Sequence, residues 1–77
     1  MKQLEAIDEL VQNGGEITIG GIGPVACAAT AVDGYQCMAM LVRNDGETLA
    51  ELLSRLDEAI RWAFENEDGD CIDEING

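Results

Sequence analysis

The chain has no histidine and only four basic residues, against sixteen acidic residues among its 77 positions, so its formal net charge is −12. A domain of this size cannot bury that many carboxylates, and its surface is therefore expected to be strongly electronegative. Such a surface repels the phosphates of nucleic acids and anionic membranes and attracts basic protein surfaces. The composition predicts a basic protein surface as the partner, with no direct nucleic-acid partner and no membrane partner.

The lack of histidine also argues against catalysis, because histidine is the commonest general base near neutral pH. Three cysteines, Cys27, Cys37 and Cys71, have no histidine partner that would activate a thiolate, and no serine or threonine falls in a nucleophile motif. We therefore expect a protein that is not an enzyme and that carries no cofactor and no resident metal.

The cysteines are odd in number and lack CxxC spacing, which does not indicate a disulfide framework. Cys27 and Cys37 are predicted to be small core residues, and Cys71 to be exposed. The N-terminal segment is typical of an amphipathic helix rather than a signal peptide, and no apolar run approaches the roughly 20 residues of a membrane span. A cytoplasmic location is the expectation.

Two partial motifs lack residues or elements that their function requires. Gly21, Gly23 and Ala26 fit a dinucleotide-binding fingerprint, but 77 residues cannot supply the βαβ units that such a site needs. The acids around Gly69 suggest a calcium loop, but that alignment puts Phe64 and Ile75 at the two end positions, where carboxylates are required.

Hydrophobic periodicity predicts an α+β fold in a single small domain. The predicted order is a helix, three antiparallel strands and a second helix, with both helices on one face of the sheet. The domain spans residues 1–64, and residues 65–77 form an acidic C-terminal tail that could fold back on it. From residue 45 to the end there are eleven acids and two arginines, a net charge of −9.

Asp33-Gly34 is a hairpin signal, since a two-residue type I′ turn requires positive φ at both positions. Pairing Val32 with Tyr35 across this turn would set Ala28 opposite Ala39 and Cys27 opposite Met40. In that register Cys27 and Cys37 fall on opposite faces and cannot bridge, while Met38 and Met40 share a face and are expected in the core. The many alanines of these strands leave room for closely packed helices.

The second helix is the clearest element. Thr48 and Glu51 make a capping box, and a leucine-rich stripe follows at helical spacing. Trp62 lies away from that stripe, among charged residues, and is a candidate hot spot for a partner or a dimer contact. The alternative is that Ile72 or Ile75, in a folded-back tail, covers it. The simplest expectation for the tail itself is a frayed acidic segment.

The helix–three strands–helix order resembles double-stranded-RNA-binding domains, but the start of the second helix here is acidic instead of lysine-rich. The strand leading into the sequence DGETLAELLSRLDEAI is similar to HicB-type antitoxins, in which a strand precedes a comparable helix. The Pro-Asp-x-Pro-Gly-Cys-like turn of that family is absent from this chain.

The small size, strong acidity and α+β order also resemble phage and prophage proteins, including anti-CRISPR inhibitors. That resemblance implies a bacterial host cell and a non-catalytic inhibitor that covers a basic nucleic-acid-binding surface of a defence complex by imitating the phosphate backbone. The alternatives are a HicB-like antitoxin or small regulatory subunit that neutralises a basic toxin, and a phage accessory or structural protein. A homodimer is compatible with each of them. The predicted partner-binding residues are Glu51, Asp57, Glu58, Trp62, Glu65, Glu67, Asp68 and Asp70.

Overall fold

A computed structural model describes residues 4–34, 36–66 and 72–75. Its two helices and four strands follow the predicted order, with one additional strand near the C-terminus. The sheet order is β1-β2-β3-β4, in which β1, β2 and β3 are antiparallel and β4 runs parallel to β3. The elements are α1 (Glu5–Gln12), β1 (Glu16–Ile22), β2 (Val25–Asp33), β3 (Gln36–Val42), α2 (Leu49–Glu65) and β4 (Ile72–Asp73).

Helix α2 forms where the sequence predicts it, because its start is capped and one face is apolar. The Thr48 hydroxyl accepts from the Glu51 N–H at 3.1 Å, and the Glu51 carboxylate accepts from the Thr48 N–H at 2.8 Å. Both halves of the capping box are therefore present. The apolar face is fully buried at Leu52, Leu56 and Ile60.

The core lies between the sheet and the two helices. Leu10 of α1 and Leu52 and Leu56 of α2 pack in one cluster with three fully buried alanines of the sheet, Ala29, Ala31 and Ala39. Their short side chains let the helices approach the strands closely, as the composition predicts. Leu41 and Met38 complete the sheet side of this core.

The predicted hairpin register is wrong. Asp33 pairs with Gln36, so the turn begins at Gly34, whose φ is 62°. Val32 then pairs with Cys37 but Ala31 with Ala39, which leaves Met38 as the extra residue of a β-bulge.

The bulge changes which side chains reach the core. Met38 is only 7% exposed and packs in the core. Met40, predicted to accompany it, is half-buried opposite Thr30 and lies outside the core cluster. Ala28 pairs with Val42 rather than with Ala39.

The cysteines differ from one another. Cys27 is a free thiol, half-buried against the core, in agreement with the prediction for that residue. Cys37 is half-buried and disulfide-bonded, and the number and spacing of the cysteines did not indicate that bond. Cys71, predicted to be exposed, lies outside the described residues.

The expectation of a frayed tail is wrong for residues 72–75. Ile72 pairs with Ala39 and packs against the core, and the Glu74 N–H donates to the Met40 carbonyl at 2.7 Å. The Glu74 carboxylate accepts from the Val42 N–H at 2.9 Å. The edge of β3 thus supplies the backbone partners that a two-residue strand lacks on its own.

Candidate protein-binding surface

The solvent side of α2 carries a row of carboxylates. Glu51, Glu58 and Glu65 are all exposed and follow one another at intervals of seven residues. Because a helix rises 1.5 Å per residue, successive carboxylates are about 10.5 Å apart along the axis. Seven residues are nearly two full turns, so the three lie on the same side of the helix. We call Glu51, Glu58, Trp62 and Glu65 the α2 acidic face.

Trp62 belongs to the α2 acidic face, between Glu58 and Glu65. It is 42% exposed and is among the few large hydrophobic residues that the described chain leaves at the surface. Ile72, one of the two residues considered as its cover, packs against the core. The indole therefore offers an apolar contact in the middle of a charged helix face.

Asp57 does not belong to this surface, which corrects the sequence prediction. It is 6% exposed, and its Oδ1 accepts from the backbone N–H of Ile7 at 3.0 Å. Its Oδ2 accepts from Arg61 at 3.3 Å. Both carboxylate oxygens thus accept hydrogen bonds within the protein, and Asp57 is not one of the exposed acids of this surface.

The reason for this contact lies at the start of α1. Its N-cap residue, Leu4, has φ of 61° and no side chain that can cap the helix. The first N–H groups of a helix have no partner within the helix, so another element must supply one. Asp57 supplies a carboxylate at the positive end of the helix dipole. The only sequence signal for the Asp57–Ile7 hydrogen bond is the lack of a Ser, Thr, Asp or Asn before α1.

We expect Asp57→Ala to lower the free energy of unfolding by about 1–3 kcal/mol, because the Ile7 N–H would lose its partner in a part-buried site. Asp57→Asn keeps an oxygen acceptor and should lose less. Urea unfolding of the two variants beside the wild type measures the difference. Equal losses in both would show that the negative charge, rather than the hydrogen bond to Ile7, is what matters.

The described arginines are engaged within the protein. Arg55 pairs with Glu47 at 2.7 Å and with Glu74 at 3.1 Å, and it donates to the Val42 carbonyl at 2.8 Å. Arg55 of α2 therefore binds both the β3–α2 connection, through Glu47, and the C-terminal segment, through Glu74. Among the described residues, Glu58 and Glu65 have no ion-pair partner, so their charges face solvent.

The Arg55 pair depresses the pKa of Glu47 to about 2 from its ordinary 4.5, and the Asn44 N–H adds to the effect. Folding stabilises the charged carboxylate, so this contribution is complete above about pH 4.5 and is lost as the pH falls towards 2. We expect Glu47→Gln to be less stable than the wild type at neutral pH, and the gap to narrow steadily below about pH 4.5 as the pH falls towards and through 2. Urea unfolding across that range tests this, and a constant gap between the two proteins would contradict it.

The remaining predicted residues, Glu67, Asp68 and Asp70, lie outside the described residues. Within the described ranges, no group of three acidic or cysteine side chains is arranged to hold a metal ion. Neither described helix has the length and apolarity that a membrane span needs.

Comparison with known proteins gives no relative. No family model, no curated protein and no solved structure matches this chain.

Proposed function

We propose that this protein is a non-catalytic inhibitor that binds a basic, nucleic-acid-binding surface of another protein through the α2 acidic face. The observation that carries the proposal is the exposed Trp62 between two exposed carboxylates, Glu58 and Glu65, that form no ion pair with any other described residue. Carboxylates steer a charged partner and set the orientation, whereas a desolvated tryptophan supplies contact energy and slows release.

The spacing of the carboxylates supports imitation of a phosphate backbone. Successive acids of the α2 acidic face are about 10.5 Å apart along the helix, and one strand of duplex DNA advances 3.4 Å per nucleotide. Each interval therefore corresponds to about three nucleotides. Lysines and arginines that are arranged to bind phosphates could meet these carboxylates without a large rearrangement.

A groove beside the α2 acidic face gives a basic side chain a place to lie. Its volume is about 440 Å³, and its lining includes Leu4 and Ala50, the carboxylates of Glu51 and Glu58, and the Asp57–Arg61 ion pair, in which the charges offset one another. The methylenes of an arginine or lysine can cover apolar surface while the charged head meets a carboxylate. This geometry favours a basic protein partner over a small neutral ligand.

The proposed target is a nucleic-acid-binding defence complex of a bacterial cell. The test uses purified CRISPR effector complexes and a labelled target duplex, with and without this protein. We expect it to prevent duplex binding by at least one complex and to be displaced by excess unlabelled duplex. Unchanged duplex binding by every complex in the panel would contradict this choice of target.

A further inference from the structure

The open edge of the sheet is a second surface that the proposed function does not use. Strand β1 pairs with β2 on one side, and no described residue pairs with its other side. The opposite edge differs, because β4 and Glu74 cover β3 there. An uncovered strand edge presents a row of backbone donors and acceptors that can pair with another strand.

β1 has few of the features that prevent edge pairing, and the one that is present is a bulge between Gly20 and Ile22, near the end of the strand. Its sequence, EITIGGI, contains no proline and no lysine, and its single charge, Glu16, is at one end. Ile19, near its middle, is 41% exposed. Val11, on the helix that packs over β1, is 50% exposed. Two exposed apolar side chains therefore lie on β1 and on the helix that contacts it, in a molecule whose charge is −12.

We propose that β1 pairs with β1 of a second copy of this chain, antiparallel, about a two-fold axis at Ile19. This register sets each Ile19 against its counterpart and each Glu16 against the partner's Ile22, so no carboxylates face one another. The two Glu16 residues are then six positions apart along the ladder, about 20 Å, which exceeds the Debye length in physiological salt. The pairing joins the two sheets into one of eight strands.

The occupant is a second copy because the register is self-complementary. Thr18 falls opposite Gly20 of the other copy, and Ile17 falls opposite Gly21, the residue at the bulge, so bulky side chains meet small ones. A single pair of seven-residue strands is small beside a standard protein–protein interface, so the dimer is weak and forms only at high protein concentration. Each α2 acidic face stays free, so the dimer presents two of them.

Sedimentation velocity at near-physiological salt, from about 5 to about 500 µM protein, tests the proposal. The wild type should shift from its monomer mass of 8.2 kDa to twice that value. Ile19→Lys should remain monomeric across the range. Leu49→Lys is the matched control, since Leu49 is 49% exposed on a different element and the charge change is the same. A non-reducing gel separates pairing from covalent cross-links.

A second measurement tests strand pairing in the wild type alone, without any substitution. Hydrogen exchange on the wild type should slow in β1 amides as concentration rises, while β3 amides stay unchanged. A wild type that is monomeric throughout would overturn the proposal and leave the edge for an extended segment of another protein. Self-association of Ile19→Lys equal to that of the control would overturn it as well.

Discussion

Replacing Glu58 and Glu65 together with lysine should weaken binding to the target complex by about 100-fold or more. Each change removes an exposed carboxylate and sets a like charge against a basic surface, which costs several kcal/mol where the contact is desolvated. Both side chains are exposed, and neither takes part in a described ion pair, so the fold should persist. The duplex-binding assay with the double variant measures the loss.

The matched control for this variant is Glu9→Lys with Asp33→Lys, which changes the net charge by the same amount on α1 and at the end of β2. Both positions are exposed. The control should inhibit nearly as well as the wild type, because long-range attraction alone is screened at physiological salt. Equal losses in the two double variants would show that net charge, rather than the α2 acidic face, governs binding.

Reduction of the disulfide at Cys37 should lower the free energy of unfolding by about 2–4 kcal/mol. A cross-link limits the unfolded chain more than the folded one, so breaking it favours unfolding. The total stability of a 77-residue domain is about 4–12 kcal/mol, so this is a large part of it. Urea unfolding with and without a dithiol reductant measures the change.

Serine variants separate the two described cysteines. Cys27 is a free thiol, so Cys27→Ser should keep the full response to the reductant. Cys37→Ser should match the reduced wild type and show no further response. A wild type whose stability is the same in both redox conditions would contradict the prediction.

The features that the sequence predicted correctly depend on neighbouring residues. The capping box of Thr48 and Glu51 lies within one helical turn, and the buried stripe of Leu52, Leu56 and Ile60 repeats at helical spacing. The exposure of Trp62 follows from the same periodicity. Local patterns of this kind are readable because the partners are close in the chain.

The features that it missed depend on distant residues. Asp57 meets Ile7 fifty positions away, and Glu74 meets Val42 across thirty-two. The Met38 bulge is set by packing against the helices, which overrides the register that the turn residues favour. The C-terminal segment is acidic and contains only two isoleucines, which by itself is typical of a disordered tail. Its pairing with β3 could be predicted only by knowing that this edge of the sheet is open.

The central claim is that the α2 acidic face meets a positively charged surface. The most direct test is the association rate constant with the target complex, measured by stopped flow from about 0.02 to about 0.2 M ionic strength. Electrostatic steering predicts a fall on the order of tenfold or more for the wild type, and a much flatter response for the Glu58→Lys and Glu65→Lys double variant. A wild-type rate constant that does not change with ionic strength would contradict the account.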